Sequence, residues 1–199
     1  MKLKDISAIL RAGRKIYIFE GGDCQWLGDG CCAYPIYGLP RMEEFNLSVL
    51  LDISDKHWEK YSVQSAELPL NVSDNDIDEF QLADIGISMS YRETVAIPLI
   101  GNHSLFYIQP KYLRPFRDGG SYSYYARKTK NGRYVIAVKE GFILRGIISP
   151  YDFVTEEYVD KLNTVLRLSH DILSQKREEK QKNIEFRNFM NMTFAENGE

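Results

Sequence analysis

Histidine and cysteine are scarce in this sequence, with three of each in 199 residues. Apolar runs are short as well: none approaches the roughly 18 residues of a membrane span. The opening "MKLKDISAIL" has basic residues but neither the long apolar stretch nor the small-residue cleavage site of a secretory signal. An intracellular, cytoplasmic protein with no membrane partner is therefore expected. Phosphate-cradling motifs are missing too, since there is no G-x-x-x-x-G-K-[ST] and no G-x-G-x-x-G ahead of a helix. The Gly-Asp pairs at 22–23 and 28–29 are accordingly read as turns.

The few thiols and imidazoles do not assemble into a site. A structural zinc usually takes two closely spaced pairs of ligands, whereas Cys24, Cys31 and Cys32 lie apart from His57, His103 and His170. Neighbouring strand residues such as Cys31 and Cys32 also point to opposite faces of a sheet. No metal and no cofactor is expected, and the cysteines read as small thiols of a reducing compartment. A cysteine nucleophile would need a nearby base; His103 could reach one only through the fold. Asp74, Asp76 and Asp78 imitate the start of a calcium loop, but Glu79 stands where that loop needs glycine and Ile85 where it needs a bidentate glutamate. Glu43 with Glu44 and Glu156 with Glu157 fall in first helical turns, where carboxylates complement the helix dipole. A catalytic centre is not expected, and a hydrolase or transferase ranks last among the readings.

What is present is an ordinary globular composition, 44% hydrophobic and 27% charged, in a chain long enough to bury a core without metal or disulfide. The net charge of −3 hides a segregation. Residues 41–96 hold four basic and twelve acidic side chains, and residues 111–146 hold nine basic and two acidic. Such asymmetry permits a positive face toward a polyanion. It is equally met if the two blocks lie against each other.

The pattern along the chain repeats. Leu3, Ile6, Ile9 and Leu10 mark a helix that Gly13 is placed to stop. "KIYIFE", "CQWL" and "CCAYPIY" then read as a three-stranded antiparallel meander with glycine turns. Near residue 110 the order recurs: "PKYLRPF" is a short helix with Pro110 at its start, weakened by Pro115. "SYSYYARK", "RYVIAVK" and "FILRGIIS" follow as strands, with Asn131-Gly132 as a hairpin turn. Each meander ends at a proline, Pro40 or Pro150, before a helical pattern. The expected fold is α+β, with a domain over 1–150 made of two pseudo-repeats (1–51 and 94–150) around an acidic insertion (52–84). "IGISMSY" (85–91) and "TVAIPLI" (94–100) should add strands to it. Residues 151–199 should form a long C-terminal helix and tail, capped by Thr155 and buried along Val159, Leu162, Leu166 and Leu173.

The tyrosines of "SYSYYARK" beside Arg127, Lys128, Lys130 and Arg133 admit two readings. Aromatics interleaved with cations can stack bases and hold phosphates. In the blander and weightier alternative, Tyr122 and Tyr124 fill a core face and the cations occupy a solvated hairpin tip.

The paired units "LKDISAIL…KIYIFEGGDCQWLGDGCCAYP" and "TVAIPLI…PKYLRPF…YSYYARK…RYVIAVKEGFILRGIISP" resemble the sliding DNA clamp (processivity factor) superfamily. Its domains are built from two β-α-β-β-β units related by a pseudo-twofold axis, with the helices facing DNA. The resemblance implies a non-enzymatic accessory protein of DNA replication or recombination, with phage or mobile elements as its association. It would bind double-stranded DNA through Lys4, Arg11 and Arg14 of the first helix and Lys111, Arg114 and Arg117 of the second. Arg127 and Lys128 of the hairpin are further candidates, and replication or recombination proteins are candidate partners. The alternative is an interaction or regulatory module with no DNA role. In the tail, Ile184, Phe186, Phe189, Met190, Met192 and Phe194 are too apolar to remain free in water. They should dock on a partner or a second copy, forming a homo-oligomer through the C-terminal helix, unless the helix breaks near Asn183 and folds back.

Overall fold

All six strands of the two predicted meanders form. They are β1 (Lys15–Gly21), β2 (Cys24–Gly28) and β3 (Cys32–Ile36), then β9 (Tyr122–Lys128), β10 (Tyr134–Glu140) and β11 (Ile143–Ile148). The computed structural model describes residues 2–117 and 119–196, with side chains of the last helix as far as residue 185. Between the meanders lie β4 (Ser62–Glu67), β5 (Phe80–Asp84), β6 (Met89–Tyr91), β7 (Thr94–Gly101) and β8 (Ser104–Ile108). Among the described residues the strands make one open sheet of 11, in the order β4-β1-β2-β3-β11-β10-β9-β5-β7-β6, with β8 on β7. The meanders meet edge to edge, Ile147 opposite Ala33 and Ile148 opposite Cys32, antiparallel.

The chain is mixed α+β, and it divides into two compact units, Met1–Phe153 and Val154–Glu199. In the first unit, helix α1 (Leu3–Gly13) buries Ile6, Ser7, Ile9 and Leu10. The expected stop at Gly13 shifts by one residue, because Arg14 takes the left-handed conformation (φ 55) and returns its N–H to the Leu10 carbonyl at 3.1 Å. Helix α2 (Glu44–Leu50) starts at a capping box between Glu43 and Asn46, and a short α3 (Asp55–Trp58) follows. "PKYLRPF" is a 3-10 helix, Pro110–Phe116, with Pro115 inside it. A proline lacking its N–H is tolerated in so short a piece.

Period-two alternation places the side chains of each strand on two faces. One face carries Ile16, Ile18, Leu27, Tyr34, Ile136, Val138 and Ile148 into the main core with α1, α2 and the 3-10 helix. The opposite face carries Trp26, Ala33, Val135, Ala137 and Ile147 into a second core, closed by Leu68 and Leu70. Those two leucines belong to the segment expected to be an acidic loop.

The stretch 52–84 is not a free insertion. β4 pairs parallel with β1 from Lys15↔Ser62 to Glu20↔Glu67, and β5 pairs with β9 and β7. Residues 68–79 cross the second face as a strap. Pairing over 85–91 is shorter than expected, since only Met89–Tyr91 forms a strand; residues 85–88 are largely exposed and Gly86 sits at φ 72.

The second unit is helix α4, Glu156–Glu196, roughly 60 Å long at about 1.5 Å per residue. The Thr155 hydroxyl accepts the Tyr158 N–H at 3.2 Å, and the helix continues through Asn183 without a break. Of the four residues expected on its buried side, Val159, Leu166 and Leu173 are exposed, with Val165, Leu168 and Ile172 beside them, and Leu162 is half-buried.

Candidate functional site

The two helices that the sequence singles out lie antiparallel, side by side. At one end the Lys2 N–H donates to the Pro115 carbonyl at 3.0 Å, and the Lys2 ammonium donates to the Arg117 carbonyl at 3.1 Å. At the other end Gly13 approaches Asp29, whose Oδ2 accepts the Tyr112 hydroxyl at 3.0 Å. Apolar residues of both helices point to the sheet, which leaves the cations outward. Lys4, Arg14, Lys111, Arg114 and Arg117 are exposed and Arg11 is half-exposed. Among the described residues none of these six joins a salt bridge. Lys111 instead lies over the Tyr112 ring, 4.6 Å from its centroid.

Asp29, in the second Gly-Asp pair, organises the turn that carries Cys31 and Cys32. Its Oδ1 accepts the N–H groups of Cys31 (2.9 Å) and Cys32 (3.1 Å) and the Cys32 thiol (3.3 Å). The Tyr34 hydroxyl donates to the Tyr112 carbonyl at 2.8 Å. The turn is thus a tie between the β2–β3 hairpin and the 3-10 helix. Burial, helped by the Asp29 charge, pushes the Cys32 thiol well above the ordinary cysteine range, while Cys31 is exposed. Native protein treated with a thiol reagent should therefore be modified at Cys31 and stay protected at Cys32. Site-resolved mass spectrometry checks this, and equal labelling of the two would contradict the tie. Among the described residues no group of three or more His, Cys, Asp or Glu is placed to hold a metal.

The hairpin candidates separate. Lys128 is exposed, its ammonium 5.6 Å from the Tyr134 ring centroid. Arg127, expected at a solvated tip, is fully buried. Strand alternation turns it to the second face, under the strap. There its guanidinium donates to Glu79 Oε2 through Nε (3.1 Å) and Nη2 (2.6 Å), and to the carbonyls of Asn71 (2.7 Å) and Ser73 (2.8 Å) through Nη1. Glu79 Oε1 binds the ammonium of Lys139, itself buried and 4.6 Å from the Tyr125 ring centroid. Asp76 adds a carboxylate 3.9 Å from Arg127, and Asp74 caps the Leu144 N–H at 2.8 Å. Arg127 is structural and cannot touch a phosphate. Part of the charge segregation is the acidic block lying against the basic one. Tyr122 and Tyr124 pack on the main core, as in the blander reading.

Beside α3, Ser54 Oγ and His57 Nδ1 are 2.8 Å apart, in a cleft with Arg11 and Asp52. The pair stands at the N-cap and third helical position of α3 and links the two side chains only, with no side-chain bond to a backbone N–H at this helix start. Among the tail residues, Ile184 is exposed; the side chains of Phe186, Phe189, Met190, Met192 and Phe194 lie outside the described residues. None of the helices is long and apolar enough to cross a membrane, among the described residues.

No protein family, curated protein or solved structure matches the chain.

Proposed function

We propose that the protein is a non-enzymatic, clamp-like accessory factor of DNA replication or recombination that holds the backbone of double-stranded DNA against α1 and the 3-10 helix. The observation that carries the reading is the antiparallel helix pair with Lys4, Arg11, Arg14, Lys111, Arg114 and Arg117 outward and without salt-bridge partners among the described residues. Cations exposed on two adjacent helices suit a phosphate backbone, which rewards charge density without demanding a base-reading side chain. The two meanders behind the helices form a continuous sheet through β3 and β11, a rigid backing for such a face. Lys128 is a further candidate contact; Arg127 is withdrawn.

Binding should be sequence-independent, and it should weaken steeply between low and physiological salt as phosphate contacts release counterions. Fluorescence anisotropy with a labelled duplex at two salt concentrations tests this. Absence of binding even at low salt would eliminate the reading. It would then favour a second one, a protein-interaction module, whose supporting observation is the row Val159, Leu166 and Leu173 exposed along α4. Leucines so placed normally receive a partner or a second copy of the chain.

A further inference from the structure

The sheet face opposite the helices holds a cleft of about 620 Å³, within the size range of small-molecule sites. Ala33, Val135 and Ile147, on three neighbouring strands, form its apolar floor. One wall is the strap at Leu68 to Leu70. The other is the aromatic pair Tyr17 and Phe19, whose rings are nearly parallel (10°) with centroids 5.6 Å apart. Among the described residues no carboxylate lines the cleft, and its one charged lining residue is Arg133. That arginine is held at the rim by its hairpin, because the Thr129 hydroxyl accepts the Arg133 N–H (3.1 Å) and donates to the Arg133 carbonyl (3.0 Å). Arg133 is exposed and joins no salt bridge among the described residues.

We propose that this cleft binds a flat aromatic ring carrying an anionic group, of nucleotide size, with the ring against Tyr17 and Phe19 and the anion on Arg133. An apolar floor and an aromatic wall favour a planar ring over a sugar or a peptide backbone, since stacking needs only a π-face. The lone rim cation in a carboxylate-free lining selects a negative substituent and orients it outward. A free nucleotide and an unpaired base of a single strand share this chemistry. The site is separate from the helix face, which lies on the other side of the sheet, so either can fail without the other.

Cys31, exposed at the same rim, supplies the readout. Its alkylation rate is measured by mass spectrometry in the intact protein with and without AMP, ATP or a short oligothymidylate. Slower labelling with the mononucleotides identifies free nucleotide as the ligand, and slower labelling with the oligonucleotide alone identifies a single strand. Arg133→Gln, at an exposed turn, should raise the concentration needed for protection about tenfold, the loss expected of one charge-assisted contact. Tyr17→Leu keeps an apolar side chain but removes the ring, and should likewise raise the concentration needed for protection about tenfold, because the stacking face is lost. If Tyr17→Leu does not fold, Arg133→Gln decides alone. Unchanged Cys31 labelling at millimolar concentrations of all three probes, or protection that Arg133→Gln leaves undiminished, would overturn the proposal.

Discussion

Glu79→Gln should destabilise the protein by about 3–5 kcal/mol, the loss typical when one partner is removed from a buried ion pair. For a chain of this size that lowers the melting temperature by roughly 6–20 °C, at about 2–4 °C per kcal/mol. The effect is large because one carboxylate serves two buried cations. Arg127 is fully buried and Lys139 nearly so; without Glu79, Asp76 at 3.9 Å from Arg127 is the nearest compensation. The strap would lose its anchor as well, since the Arg127 guanidinium also holds the carbonyls of Asn71 and Ser73. Replacing Glu79, Arg127 and Lys139 together by methionine should cost less than Glu79→Met alone, because both buried cations then leave together with the carboxylate that pairs them. Chemical denaturation measures both. A loss below about 1 kcal/mol for Glu79→Gln, the range of an exposed pair, would show that the strap is not held in this way.

Gly28→Ala should be nearly as damaging, at about 3 kcal/mol, the upper end of the range for overpacking. A Cβ on Gly28 would fall on the carbonyl oxygen of Cys32, where β2 pairs with β3. A backbone oxygen cannot rotate aside, so the hairpin itself must open, and with it the Asp29 tie to Tyr112. Gly13→Ala is the control. Its Cβ would meet Asp29 at an ordinary 3.5 Å, and alanine at that helix position gains roughly 0.5–1 kcal/mol. Equal melting temperatures for the two variants would contradict the close approach of β2 and β3.

Elements whose determinants are local could be read from the sequence. The apolar spacing of α1, the Asn131-Gly132 turn, Pro110 at the start of the 3-10 helix and the Thr155 cap all act within a few residues. β4 could not, because "SVQSAE" shows no apolar alternation and is mostly exposed; its strand exists through parallel pairing with β1, a contact far away in sequence. β8, "SLFYI", is by contrast a local hairpin partner of β7 across Asn102 and His103, both at positive φ (46 and 57), and escapes a sequence reading because that turn carries no glycine. Arg127 was hidden by its neighbours, since Lys128 and Lys130 made the hairpin look uniformly solvated. The signal was present in the alternation: Arg127 shares a face with Tyr125, and Lys139 is directly opposite Ser123 on that same face. Two buried cations on one face call for an acid, and "DNDIDEF" offers one. Of the candidate site, the helix cations could be named from the sequence, and five of the six are exposed on or beside the two helices, with Arg11 half-exposed. The cleft could not, because Tyr17 and Phe19 on β1 and Arg133 in the turn before β10 are more than a hundred residues apart and meet only in the assembled sheet.

The most direct test of the helix-face proposal is the salt dependence of duplex binding for the parent and for a variant in which Lys4, Arg11, Lys111 and Arg114 are all replaced by glutamine. Six phosphate contacts predict a slope of log K against log salt near −5, at about −0.9 per contact, and the two remaining in the variant predict a slope near −2. Affinity at low salt should collapse in parallel, while the melting temperature stays close to that of the parent because these side chains are largely exposed. A variant that folds normally and keeps the parent's affinity and slope would contradict the account.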